Sequence, residues 1–399
     1  MNNYIWCSND YLTIEDDMCT HLETHLFFYS QIKNSLDSGL GMGNVIRTIS
    51  ELLKNSPILY PPLVYLISSF VNSILGTGHL VVTRLTQMIY FAILISSVYE
   101  IGKICFDKKS VIIAALLVSF YPGIVGASRL YTLDLPLTSF TALAIYCLIK
   151  TKYFSNFKRS IIFGVILGVG IMIKGQILFF VIGPLVYIFF KSFFKMGKNK
   201  SEKLICGRNY ILALVISGIG SSLWWWPRFN LLLDRFMFLL FEVSENPLVP
   251  VMKLDVLSVN WLFSYVYFSL NNVSPVLFGL FLLGLLSSLK AQFEYKGIII
   301  SWILGSYYIL SMFSMKIDRF FMPAFPAIAI ITIVFFYSIK NIVFQRALLA
   351  ATVGFAVFQA MFLSYYPKSH DITVAAQRNS IFYFITPMHD PEILGEKEA

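Results

Sequence analysis

Charge is scarce in this sequence. Only 13% of its 399 residues are charged, against roughly 25% in an ordinary soluble domain. With 57% hydrophobic residues and a mean hydropathy of +0.71, that scarcity excludes a water-soluble globular protein. The 16% aromatic content excludes a disordered chain. A P-loop, a Gly-rich nucleotide loop and a G-x-S-x-G elbow are all missing, which argues against an ATP-driven pump or a serine hydrolase. Acids are nearly absent from the apolar runs, and no row of Asp, Glu or His suits the bilayer midplane as ion-coupled transport requires. No CxxC pair exists among Cys7, Cys19, Cys105, Cys147 and Cys206. Cys7 and Cys19 could pair if the amino-terminal tail lies outside the cytoplasm.

What is present is a series of apolar runs at 84–105, 109–128, 134–150, 160–175, 177–194, 209–226, 273–290, 296–314, 320–338 and 347–366. Each is about long enough to cross a ~30 Å hydrocarbon core, some only with flanking residues. Lipid leaves no partner for open backbone groups, so such runs read as helices. The expected fold class is therefore all-α: a polytopic membrane protein of about ten transmembrane helices plus interfacial ones. Three regions follow: an acidic tail and first-loop region over 1–83, a helical domain over 84–366 with a polar loop at 227–272, and a tail over 367–399. The run 57–77, which opens on Tyr60-Pro61-Pro62, is expected to lie at the interface, with a span as the alternative.

Basic residues set the orientation. The segments 100–110, 150–160, 191–208, 288–296 and 339–346 hold 17 Lys/Arg and four acids, whereas the remainder holds 14 Lys/Arg and 18 acids. By the positive-inside rule the first set is cytoplasmic, and the net charge of +9 reflects those loops rather than nucleic-acid binding. An even number of spans then places the acidic tail outside, with no first helix to carry it across. Either an upstream helix is missing, or 57–77 spans and the tail is cytoplasmic.

Charged groups next to a membrane need a reason to be there. Glu15-Asp16-Asp17 supplies a carboxylate that could deprotonate a hydroxyl, or a merely solvated tail. Arg129 and Asp134 are flanked by apolar runs and could pair, while Asp134 also suits the start of a helix. Lys174 could snorkel or bind a phosphate. Lys316 and Arg319 break the charge bias of the outer side, as a phosphate site or a headgroup anchor would. His21 and His25, four apart, share a helix face, but their H-x-E-x-H order is not the zinc-protease pattern. Trp224-Trp225-Trp226 reads as an interfacial belt.

In order and spacing these motifs resemble the GT-C class of membrane glycosyltransferases, and within it the protein O-mannosyltransferase and lipid A aminoarabinose transferase family (glycosyltransferase family 39 and relatives). Four features over roughly 10–340 carry the resemblance. An early acidic motif precedes Tyr60-Pro61-Pro62-Leu63, and Ser128-Arg129-Leu130-Tyr131-Thr132-Leu133-Asp134 is similar to a second acidic motif. Gly164-x3-Gly168-x-Gly170-x3-Lys174 and Lys316-x2-Arg319-Phe320-x2-Pro323-x2-Pro326 follow. The resemblance implies an inverting transferase that moves a sugar from a polyprenyl-phosphate carrier to an acceptor hydroxyl at the outer face of the cell membrane. Asp17 (or Asp16) would be the base and Asp134 its support. Lys316, Arg319, Lys174 and Arg129 would hold the lipid phosphate, with membrane lipids as surroundings and no metal, cofactor or nucleic acid required. The alternative is a non-enzymatic carrier or flippase of lipid-linked sugars. The chain departs from the family in its missing first helix, in Glu15-Asp16-Asp17 where Asp-Glu is usual, and in Phe320, which lacks a hydroxyl.

Overall fold

The computed structural model describes residues 16–38, 42–55, 60–76, 80–106, 108–195, 199–234, 259–313 and 316–365. Among the described residues there is no β-strand. The helices in chain order are α1 Asp16–Asp37, α2 Met42–Asn55, α3 Leu63–Ile74, α4 Leu80–Leu85, α5 Gln87–Cys105, α6 Lys108–Phe120, α7 Pro122–Ala127 and α8 Asp134–Lys150. They continue as α9 Phe157–Ile171, α10 Ile177–Phe190, α11 Lys200–Trp225, α12 Val259–Val273, α13 Pro275–Lys290, α14 Lys296–Ser311, α15 Phe325–Ser338 and α16 Ile342–Tyr365. A π turn, Lys191–Lys195, extends α10, and a 3-10 turn, Asp318–Ala324, leads into α15.

The chain is an all-α, membrane-type bundle. Among the described residues four stretches are long and apolar enough to cross a membrane unaided: Leu80–Cys105, Lys200–Trp225, Asp318–Ser338 and Ile342–Met361. Other apolar helices, such as α10, α13 and α14, are shorter. The run expected at 109–128 is two helices, because Pro122 starts α7 and holds Tyr121 extended (φ −61°, ψ 129°). The acidic tail is helical from Asp16, and the polar loop expected at 227–272 contains α12. Helix α3 has 12 residues, about 18 Å, and its buried face carries the polar Ser68, Ser69 and Asn72 beside Val64 and Tyr65. It packs against α1 rather than standing alone.

Lipid is as apolar as leucine, so helix pairing in such a bundle relies on close backbone approach at small residues. The pair α10 and α14 meets at Gly183 and Gly305, and α9 meets α11 where Gly164 and Gly168 face the backbone of Ala213 and Ser217. A Cβ on Gly183 would fall inside the envelope of the Ser301 carbonyl oxygen and 3.0 Å from Gly305 Cα.

The bundle has two chemically distinct ends. At one, Phe106 stacks near Phe293 (5.0 Å) and Tyr337 (5.4 Å), and Tyr153 lies on Tyr295 (5.6 Å). There Lys191 donates to Tyr153 Oη (2.9 Å) and Asn209 to the Phe154 carbonyl (2.9 Å). The five basic segments therefore gather at a single end. The other end carries α1, α3 and the charged residues described next.

Glycine substitutions test the packing. Gly183→Ala forces two backbones apart and is expected to cost about 1–3 kcal/mol. Gly218→Ala, on α11 with open space where a Cβ would stand, should be neutral or slightly stabilising. Apparent melting temperature in detergent reads both, and equal effects at the two positions would overturn the close-approach account.

Candidate functional site

The site begins with a carboxylate that is hard to bury. Asp134 is the first residue of α8 and 5% exposed. The helix N-terminus favours its negative charge, and the two cations that hold it arrive from distant segments. Lys174 Nζ donates to Asp134 Oδ1 at 2.9 Å, and Arg319 Nε lies 3.5 Å from Oδ2. One carboxylate thus bridges a lysine ammonium and an arginine guanidinium.

Local sequence explains how each cation reaches it. Helix α9 ends at Gly168 and Gly170, whose carbonyls accept from Met172, Ile173 and Lys174 N–H groups in a tight turn. Gly175 then lets the turn lie on Trp225, whose ring would stand 3.3 Å from a Cβ at position 175, and the Trp225 indole donates to the Ile171 carbonyl (3.4 Å). The Leu63 N–H donates to the Met172 carbonyl (3.4 Å), so the start of α3 is tied to the same turn. Arg319 is placed by the 3-10 turn, whose first residue, Asp318, accepts from the Arg319 N–H (2.7 Å). Phe320 follows, and the Lys174 ammonium stands 5.7 Å from its ring centroid.

Lys316 is used differently. It is buried at 1% exposure and donates to the Leu310 and Ser311 carbonyls, 2.9 and 2.8 Å away, closing the end of α14. Its ammonium also faces the Tyr265 ring at 5.4 Å, and burial pushes it down to about 8. Arg129 is buried in the turn that leads to Asp134, and its N–H donates to the Gly126 carbonyl.

The backbone of Asp16 and Asp17 opens α1, while their side chains lie outside the described residues. The residues just after them are anchored. Met18 is fully buried with its sulfur 4.0 Å from Arg84 Nη2, and His21 Nδ1 is 2.7 Å from Tyr65 Oη. His21 is also within electrostatic reach of Asp134. The start of α1 and the Asp134 cluster therefore share one end of the bundle. His21 and His25 both spend ring nitrogens on hydrogen bonds to hydroxyl and amide groups. Cys19 is a free thiol, and Cys7 lies outside the described residues.

The Trp run divides its work. Trp224 is fully buried beneath the Arg228 guanidinium (3.6 Å), Trp225 supports the Lys174 turn, and Trp226 alone is exposed. Sequence reasoning missed Asp318 and Arg84. Arg84 is a nearly fully buried guanidinium in a short helix, and its only sequence signal was a single cation in an apolar stretch.

Known proteins resemble this chain in sequence and in fold. The family model described as dolichyl-phosphate-mannose-protein mannosyltransferase matches residues 60–225. That span begins at the Tyr60-Pro61-Pro62 motif and includes Asp134 and Lys174, but not α1 or Arg319. ArnT from Cupriavidus metallidurans bound to undecaprenyl phosphate superposes with a TM-score of 0.57 at 13% identity, over 88% of this chain and 70% of that one. The fold is that of the GT-C membrane glycosyltransferases. The apo ArnT structure agrees, with a TM-score of 0.56 and 14% identity over 84% of this chain and 58% of that one. The apo Archaeoglobus fulgidus oligosaccharyltransferase gives 0.50 and 14% over 91% of this chain and 56% of that one. An uncharacterized Aquifex aeolicus (strain VF5) protein is 25% identical over 347 residues, 83% of this chain. The chain spans 64% of that relative's length. The expected resemblance to this class is borne out.

A double-mutant cycle tests the bridge. Removing one partner of a buried pair leaves an uncompensated charge and costs about 3–5 kcal/mol. Lys174→Met alone should sit at the low end of that range, since Arg319 remains. Lys174→Met with Asp134→Asn should be less destabilised than the sum of the singles by about 1 kcal/mol or more. Additive losses in detergent unfolding would show that the pair is not coupled.

Proposed function

We propose that this chain is a membrane glycosyltransferase that takes a sugar from a polyprenyl-phosphate carrier and transfers it to an acceptor hydroxyl. The observation that carries the reading is the Lys174–Asp134–Arg319 bridge at the end of the bundle that also receives the start of α1. On this reading the site lies at the face away from the cytoplasm, because the basic segments gather at the opposite end.

The chemistry follows from charge. A carboxylate at the start of α1, Asp17 or Asp16, takes the acceptor proton as its oxygen attacks the anomeric carbon from the side opposite the phosphate, which inverts that centre. The bond from the anomeric carbon to the phosphate oxygen breaks, and the phosphate leaves with one more negative charge. Lys174 and Arg319 stabilise that gain more than they stabilise the intact donor, which is the condition for catalysis. Arginine offers a fork and lysine a point charge, a pairing suited to phosphate oxygens. Asp134 holds both cations in position and keeps them from repelling each other. Lys316 shapes the site through the end of α14, and Arg129 through the turn before Asp134. What resembles this chain supports the reading: a mannosyltransferase family model and a fold neighbour holding undecaprenyl phosphate.

The test is an assay with polyprenyl-phosphate-linked sugars on the purified full chain. Asp17→Asn and Asp16→Asn are each compared with wild type, for turnover and for binding of polyprenyl phosphate. Loss of a positioned base typically costs 10²–10⁴-fold in rate. We expect a loss of that size in one variant with lipid binding retained, and loss of lipid binding in Lys174→Ala. Unchanged turnover in both Asp variants would remove the base assignment. Transport of lipid-linked sugar without any transfer would favour a carrier. Labelling of Cys19 by an impermeant maleimide in intact cells, in a Cys7→Ser background, tests the sidedness.

A further inference from the structure

The first helix is fixed to the rest of the molecule by a buried polar centre around His25. The ring is 0% exposed, and each nitrogen has its own partners. Nδ1 lies 2.9 Å from Ser68 Oγ, with Ser69 Oγ at 3.4 Å. Nε2 lies 3.0 Å from Asn72 Nδ2 and 3.0 Å from Thr83 Oγ1. Asn72 Nδ2 also donates to Thr83 Oγ1 (2.8 Å), and Ser68 Oγ meets Tyr131 Oη at 2.6 Å. Four segments thus converge on one imidazole: α1 through His25, α3 through Ser68 and Asn72, α4 through Thr83, and the turn before Asp134 through Tyr131.

The Asn72 amide nitrogen faces the ring, and an NH₂ group can only donate. With the amide so placed, Nε2 accepts and the ring proton sits on Nδ1, facing the Ser68 oxygen. A second proton on Nε2 would face the Asn72 amide hydrogens in a fully buried site. The ionisable groups around the ring are Tyr29 on α1 (6.1 Å, stacked), Tyr131 (5.7 Å, edge-on), Tyr65 and His21 one turn away, and Arg84 next to Thr83. Among the described residues no carboxylate stands against it to balance a positive charge.

We propose that His25 is a positioning residue: as a neutral Nδ1–H imidazole it latches α1 to α3 and α4, and so sets the acidic motif two turns upstream against the Asp134 cluster. Protonation of Nε2 from solvent breaks the latch. The inference rests on the glycosyltransferase reading for its catalytic consequence, but the latch itself does not depend on it. Burial holds His25 at about 4, against 6.5 for a free imidazole. The undocked helix therefore binds the proton more tightly. Docking is complete above the free value, weakens as pH falls through 6.5, and stops weakening below about 4.

Hydrogen exchange of the full chain in detergent, corrected for intrinsic rates, tests this. The opening equilibrium of α1 should rise roughly thirtyfold between pH 7.5 and pH 5, while α9 and α11 stay unchanged. Thr83→Val removes one donor to Nε2 with little change in shape, and should open α1 at neutral pH. His25→Gln should abolish the pH dependence. In the transferase assay both variants should lower kcat at least tenfold, with binding of polyprenyl phosphate kept. Exchange over 16–37 that does not change with pH, or is untouched by Thr83→Val, overturns the latch. A pH-dependent α1 in a chain with no transferase activity would instead overturn the function and leave the latch standing.

Discussion

Everything at the charged end of this molecule depends on Asp134 being kept ionised although it is buried. A buried carboxylate is tolerated only when paired and hydrogen-bonded. Here the partners come from segments 40 and 185 residues away, Lys174 and Arg319. The bridge therefore does topological work as well as electrostatic work. It pins the start of α8, the turn between α9 and α10, and the 3-10 turn before α15 to one point. On the proposed reading it also sets a charge balance. Two cations and one carboxylate leave one net positive charge, the complement of a singly charged phosphodiester. As the sugar leaves, the phosphate gains negative charge, and the cations can strengthen their hold on it at Asp134's expense.

The bridge in turn depends on close packing. Lys174 arrives at Asp134 only because α9 ends in glycine carbonyls that close a tight turn, and because Gly175 lets that turn rest on Trp225. Trp225 is held by α11, and α11 is held to α9 by small residues that let two backbones touch. Side-chain chemistry at the site is thus set by backbone approach deep in the bundle, where lipid offers no competing hydrophobic force.

The membrane-type, all-α architecture was legible because long apolar runs have few structural outcomes. The break at Tyr121–Pro122 was legible in principle, since proline disfavours a helical residue before it. Asp134, Lys174 and Arg319 each stood out as charges among apolar residues, but nothing local could say that they meet. Lys316 stood out for the same reason, yet its ammonium is bonded to the carbonyls that end α14, an interaction with no sequence signature. Helix α1 was hardest to read. It is neither apolar nor strongly amphipathic, so local pattern suggested a solvated tail. It is held by the buried side chains of Met18, Leu22, Phe28 and Ile32 and by polar contacts across 43 to 58 positions, from His25 to Ser68, Asn72 and Thr83.

Polar contacts give the first helix something that the apolar packing of its Met18, Leu22, Phe28 and Ile32 does not. Apolar packing beside a bilayer is permissive, because lipid chains can replace a lost side-chain contact at little cost. A helix so held could slide or rotate by a residue. A hydrogen-bonded centre cannot be replaced by lipid, and it fixes both depth and rotation, since each donor must meet its own acceptor. A centre of this kind is suited to a helix whose first residues must present a carboxylate to within an ångström or so of a reacting hydroxyl. It carries a corresponding weakness. Directional polar contacts respond to proton concentration where apolar packing does not, so the element that most needs exact placement is also the one whose placement follows pH.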